Sequence, residues 1–279
     1  MAGMSRNPVA SMATSSGNSV STVVVAEDGA PIPVTLYGSA GPVIILVHGW
    51  SCSAAFWDQQ AAHLARDYRV VTIDLPGHGL AEPTRPSGHW SMAEFGSDIA
   101  AVADWIGSDV VLVGHSMGGA VALEAAVQLG PRCRALIGVD TFTEAGFYAA
   151  RPAAEIAARR AMFEASFKDT MRGMIAAITA DGAGAGLIDW IGDAMAATNP
   201  KAALGVLEAL LAWDIVPRWD LCPVPVTTIN SAMLARRNEL IELAGLDVRL
   251  MEDVGHFPML ENPSEFNALL RNILVERLG

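Results

Sequence analysis

Basic residues are scarce in this chain: 18 Lys and Arg stand against 30 Asp and Glu over 279 residues, a net charge of −12. Nucleic-acid binding needs a basic footprint and is excluded; attraction to an anionic membrane surface is disfavoured for the same reason. Charged residues are few overall, 17% against 52% hydrophobic, so a disordered chain is excluded and a core is assured. Cysteine is nearly absent. Cys52, Cys133 and Cys222 are far apart, odd in number and without a CxxC pair, which argues against a disulfide framework and against a metal or redox motif. They read as buried or half-buried thiols in a reducing compartment. No apolar run reaches the ~18 residues of a membrane span. Residues 1–19 are rich in Ser, Ala, Gly and Asn and lack the apolar centre of a secretory signal. They are expected to form a flexible leader on a cytoplasmic protein.

What is present is a strand–helix rhythm. Ser21–Ala26 and Pro33–Tyr37 are β-rich and joined by the turn signal Glu27-Asp-Gly29. Val43–His48 is continuously apolar, as a strand covered on both faces should be. Ala54–Arg66 has helical spacing. Then follow a strand at Tyr68–Asp74, a helix at Met92–Ile106, a strand at Val110–His115, a helix at Met117–Leu129 and a strand at Ala135–Asp140. This alternation predicts parallel βαβ units with helices on both faces of the sheet. The rhythm stops after Phe142. Residues 143–219 are Ala- and Met-rich, helical in pattern and without a strand-like run, which predicts an inserted helical cap. Strands resume at Val224–Ile229 and Val248–Glu252, and Pro263–Arg277 closes the chain as an amphipathic helix. The expected division is a leader at 1–19, an α/β core at 20–142 and 220–279, and a cap at 143–219.

Gly114-His-Ser-Met-Gly118 lies between the apolar strand and the Ala-rich helix, the context that gives a G-x-S-x-G pattern its meaning. A serine on a sharp strand-to-helix turn is strained and projects Oγ above the sheet. Side chains at Gly114 and Gly118 would strike the neighbouring strand and helix. The Met117 N–H falls at a helix N-terminus, where an oxyanion is stabilised. Ser116 is thus the candidate nucleophile. His256, in a loop beyond the final strand, is the candidate base, since it can reach back over the sheet and titrates near neutrality. The other histidines lie in the elbow, on a helix or in turns, none with metal-ligand spacing, so no metal site is expected.

Several segments together resemble the α/β-hydrolase superfamily, in its capped esterase-like branch: His48-Gly-Trp-Ser-Cys-Ser53 with Phe56-Trp57, Asp74-Leu-Pro-Gly-His-Gly79, Gly114-His-Ser-Met-Gly-Gly119, Gly138-Val-Asp-Thr141 and Gly255-His-Phe-Pro-Met-Leu-Glu261. The order of these motifs carries the resemblance. It spans nearly all of the chain outside the leader and cap. It implies a mostly parallel eight-stranded sheet with the cap after the sixth strand, and no cofactor. The loop after Val43–His48 then supplies a second oxyanion donor, the Trp50 N–H, with Gly49 letting the backbone approach the reacting carbonyl. The Trp50 side chain either lines the acyl pocket or packs under the cap. His48 reads as a structural residue of that loop.

The triad acid departs from the pattern. Relatives that resemble Thr227-Thr-Ile-Asn-Ser-Ala-Met233 tend to carry Asp after Asn-Ser, where this chain has Ala232. The best substitute is Asp140, at the carboxyl end of the sixth expected strand and beside the strand end that bears Ser116. The family knows an acid at that place as a variant. It would accept the His256 Nδ1–H and fix its tautomer. Alternatively Asp140 caps a local turn, or Glu239 or Glu242, expected on a solvent-facing helix, takes the role, or the pair is a weakened dyad.

A Ser–His pair with two oxyanion donors implies acyl transfer through an acyl-enzyme. The expected substrate is a small to medium, uncharged ester or lactone. Phe142, Phe257, Trp50 and the cap residue Trp190 are candidate pocket walls, and Met162, Met171, Met174 and Met195 suggest an adaptable lid. The expected partner is a small molecule, with a homodimer left open. Two other readings stay open. A cofactor-free dioxygenase of this fold acting on an N-heteroaromatic is suggested by the His48-Gly-Trp50 loop and Asp140. A non-catalytic ligand receptor is suggested by Ala232.

Overall fold

The computed structural model describes residues 14–16 and 19–279. Runs such as Val43–Val47 and Val110–His115, buried at every position, form the middle of a sheet, while the alternating Asp247–Met251 lies at its edge. The strands are β1 (Thr14–Ser16), β2 (Ser19–Val25), β3 (Pro31–Tyr37), β4 (Val43–Val47), β5 (Arg69–Ile73), β6 (Val110–His115), β7 (Cys133–Val139), β8 (Val226–Ser231) and β9 (Asp247–Met251). Their order is β1-β2-β3-β5-β4-β6-β7-β8-β9. Pairing is antiparallel from β1 to the β3–β5 contact and parallel from β5 to β9.

Eight of these strands correspond to the eight expected. The ninth, β1, corrects the expectation of a flexible leader over 1–19: Thr14–Ser16 pairs with Ser19–Ser21, at the start of β2. Its Thr-Ser-Ser sequence has no hydrophobic alternation, so no sequence pattern marks it as a strand. Ser19, the last residue of that leader, already belongs to β2, and residues 1–13, 17 and 18 lie outside the described residues.

The helices of the first half are α1 (Asp58–Leu64), α2 (Met92–Ile106) and α3 (Met117–Leu129). The expected helix at 54–66 is split, because a 3₁₀ turn over Ala54–Trp57 precedes α1. α2 starts at the N-cap Ser91, whose hydroxyl accepts the Glu94 N–H and donates to its carboxylate. It ends at Gly107 in a left-handed conformation. Between β7 and β8 come α4 (Ala145–Tyr148), α5 (Ala153–Ala165), α6 (Phe167–Ile178), α7 (Ala185–Ala196), α8 (Pro200–Ala212) and α9 (Val216–Trp219). After β8 follow α10 (Ala232–Arg237), α11 (Pro258–Glu261) and α12 (Pro263–Leu278). α2 packs on α3 and α1 on α12, and these pairs flank the sheet.

The parallel register sets the site. Gly114 lies opposite Gly138 and His115 opposite Val139, so β6 and β7 end side by side. Ser116 N then donates to Val139 O at 2.9 Å, and Asp140 N to Ile229 O at 2.8 Å. At the elbow a Cβ on Gly118 would run into the carbonyl oxygens of Val47 and His48, and one on Gly114 into that of Gly118. Only glycine lets α3 start this close to β4.

Gly118→Ala is expected to lower unfolding free energy by about 1–3 kcal/mol, the usual cost of overpacking. Gly173→Ala, on the exposed face of α6 where an added Cβ meets nothing within 4 Å, should instead gain about 0.5–1 kcal/mol of helix propensity. Denaturant unfolding of the two variants checks both signs.

Candidate active site

Backbone strain marks the junction of β6 and α3, where Ser116 sits at φ 54° and ψ −123°. The half-buried Ser116 lines a cavity of about 210 Å³ under α4–α8, together with Asp140 and His256. The N–H groups of Trp50 and Met117 donate to no group among the described residues. The nearby loop is shaped by His48, whose Nδ1 meets Gly49 O at 2.8 Å and whose Nε2 accepts the Leu75 N–H at 3.1 Å. Burial pushes the His48 pKa down to about 4, so the ring is neutral, as an accepting nitrogen requires.

The His256 Nδ1 donates to Asp140 Oδ2 at 2.6 Å, and Asp140 Oδ1 accepts the Ser231 N–H at 2.8 Å. With Nδ1 engaged, Nε2 is left for the cavity. Ser116 Oγ makes no hydrogen bond to this ring in the structure; such bonds often tighten only with substrate. Burial lowers the His256 pKa, but the hydrogen bond and charge of Asp140, with the Glu144 and Glu261 carboxylates, raise it above the ordinary 6.5. At the acid position of the usual pattern, Ala232 is fully buried at the start of α10. Glu239 and Glu242 are exposed, and the segment carrying them is a loop rather than the expected helix.

The loop bearing His256 is tied down on both sides. Glu261 accepts the Gly255, Phe257 and Ala180 N–H groups at 2.7, 3.0 and 2.9 Å. His256 N donates to Ile178 O at 2.7 Å, and His256 O meets His115 Nε2 at 2.8 Å. His115 is fully buried and its pKa lies well below 6.5, first through desolvation and then through the neighbouring His256.

Of the expected pocket walls, Trp50 and Phe257 line the cavity. The Trp50 Nε1 also donates to Ala203 O of α8 at 2.7 Å, so its ring both faces the cavity and joins core to cap. Two expectations are corrected. Phe142, at φ 71°, turns down into the core, where its buried ring packs edge-on to Trp219 at 5.7 Å. Trp190 is 41% exposed and lies against Phe56 on the outside of the cavity. Met174 and Met195 line the cavity, whereas Met171 is buried away from it and Met162 points to solvent.

A family model described as "Alpha/beta hydrolase family" matches residues 44–269. The chain belongs to the alpha/beta hydrolase family. It is a hydrolase of the capped, esterase-like kind, with its helices inserted after the sixth of the eight expected strands. Among curated relatives, a pimeloyl-[acyl-carrier protein] methyl ester esterase of Aeromonas hydrophila is 27% identical over 256 residues, 84% of this chain and 96% of that protein. Its counterpart in Nitrosospira multiformis is 30% identical over 102 residues, a match spanning 36% of this chain and only 39% of that relative. The solved structure described as "Est816 as an N-Acyl homoserine lactone degrading enzyme" is 25% identical with a TM-score of 0.73, covering 90% of this chain and 99% of that one.

Sequence reasoning misses four residues of this hydrolase's site. In the sequence Glu261 is only a letter of the His256 motif. His115 reads there as part of the elbow. Glu144 and Tyr148, which line the cavity, sit at the start of the cap; their spacing of four on one short helix was the available signal. In an imidazole NMR titration, His48 and His78 should stay neutral down to about pH 4 and about pH 3, both held down by burial. His256 should titrate above 6.5. A His256 midpoint below 6.5 would contradict the described pairing.

Proposed function

We propose that the protein is a serine hydrolase that cleaves a carboxylic ester or lactone of a small to medium, largely apolar substrate through an acyl-enzyme. Ser116 Oγ attacks the carbonyl while His256 Nε2 takes its proton. The Trp50 and Met117 N–H groups hold the oxyanion. The imidazolium then protonates the leaving alcohol, and water, activated by the same ring, releases the acid. Asp140 keeps the ring in the Nδ1–H tautomer and balances its charge. The observation that carries this reading is the 2.6 Å His256–Asp140 bond, which leaves Nε2 to the cavity lined by a strained serine. The names of the Aeromonas esterase and of the lactone-degrading enzyme support an ester or lactone as substrate.

The reading needs no resident metal or cofactor and places the chain in the cytoplasm, acting on a small molecule without nucleic acid or membrane, a homodimer left open. No helix among the described residues is long and apolar enough to cross a membrane.

Wild-type protein should react with a fluorophosphonate probe and hydrolyse short acyl esters, and Ser116→Ala should lose both. The base must be neutral to act, so kcat/KM should fall on acidification with a midpoint above 6.5. Oxygen uptake with a hydroxylated N-heteroaromatic, undiminished by Ser116→Ala, would replace this reading with the cofactor-free dioxygenase. A probe-inert Ser116 without any turnover would favour the receptor.

A further inference from the structure

The cavity is apolar over most of its wall, with Phe147, Met174, Ile178, Met195, Leu210 and Phe257. Two polar side chains beside Ser116 and His256 have no part in the acyl-transfer mechanism. Glu144 is the N-cap residue of α4 and Tyr148 its last residue, and Tyr148 N donates to Glu144 O at 3.1 Å. One helical turn apart, they share a face.

Glu144 is half-buried, and the burial of its carboxylate raises its pKa. It accepts no hydrogen bond and joins no ion pair among the described residues. The cation in range, Arg159, lies over the Phe147 ring at 5.1 Å instead. The Tyr148 hydroxyl is buried on the other side. Thr141 Oγ1 lies 2.9 Å from it and 2.8 Å from Ser116 O, and Ser116 O already accepts the Gly119 N–H at 2.8 Å. Thr141 has one proton. When it goes to Tyr148, the tyrosine's own proton is left for the Ser116 side chain, with which the hydroxyl interacts, or for a ligand that takes its place in the cavity.

An acceptor and a donor thus stand together next to the nucleophile. We propose, resting on the serine-hydrolase reading, that Glu144 and Tyr148 bind a secondary amide of the substrate, Glu144 taking its N–H and Tyr148 donating to its C=O. The substrate class is then an ester or lactone with an acylamino group close to the scissile carbonyl. A purely hydrocarbon acyl chain would leave the Glu144 carboxylate unpaired in an apolar cavity and make no use of the Tyr148 donor. A free carboxylate beside Glu144 would meet its charge. An ammonium group would leave the Tyr148 donor unused and face the exposed Arg237 at the cavity.

Three matched ethyl esters test this: N-acetylglycinate, levulinate, in which CH₂ replaces the N–H, and pentanoate, in which CH₂ also replaces the C=O. Each kcat/KM is divided by the ester's rate with hydroxide. Wild type should prefer the first to the second and the second to the third, each by about 10- to 100-fold. Glu144→Leu should bring the first ratio to about 1, and Tyr148→Phe the second. Because each ratio is read within one variant, a general loss of activity cancels. Flat ratios in wild type, or ratios that survive the substitutions, overturn the amide site while leaving the serine hydrolase intact. No hydrolysis of any of the three also overturns it, and fluorophosphonate labelling of Ser116 then decides whether the serine-hydrolase reading falls too.

Discussion

The Asp140 carboxylate joins three segments that are distant in sequence. One oxygen accepts the Ser231 N–H at the end of β8 and the other the His256 ring, while the residue's own N–H donates to Ile229 O. Asp140 takes a left-handed backbone, φ 44°, to do this. That strain is tolerable because the surrounding bonds over-determine it. Where the usual acid would stand, the chain has the buried Ala232, and the preceding Ser231 spends its hydroxyl on Val254 O and on capping α10 through Leu234 N. The orientation of His256, and its readiness to take a proton, depend on a carboxylate one strand over from the common place.

The other half of the His256 environment comes from the cap. His256 N donates to the end of α6, and Glu261 gathers backbone N–H groups from both sides of His256 and from Ala180. The core reaches back, with Trp50 bonded to Ala203 O and Ser51 O accepting from Thr198. On α3, the buried Glu124 accepts from Trp213 and Arg218, so the cap's return is fastened to that helix as well. A buried carboxylate satisfied by several donors is rigid and costly to disturb. The cap therefore positions the site as much as it covers it.

Much of the architecture was legible in the sequence because each signal was local and periodic. Continuous apolar runs marked β4 and β6, and the loss of strand-like runs after Phe142 marked the inserted helices. The elbow was legible because glycine, serine and glycine at fixed spacing have one steric explanation. The direction of single side chains was not legible. Phe142 and Trp190 look like pocket residues by type and neighbourhood, yet a positive φ turned one into the core and packing on Phe56 turned the other outward. β1 escaped because strand pairing at a polar edge leaves no hydrophobic pattern. Glu144 and Tyr148 escaped because a cap without family-like motifs gives no register for its polar residues.

The most direct test of this account is the turnover number of Asp140→Asn on an ester that the wild-type protein hydrolyses. Asparagine keeps the shape but offers His256 the wrong hydrogen-bonding partner, and kcat should fall by about 10⁴, as tautomer loss does in other triads, with the fold intact by circular dichroism. Normal turnover in Asp140→Asn, with Glu239→Gln inactive, would contradict it and move the acid to the loop after β8.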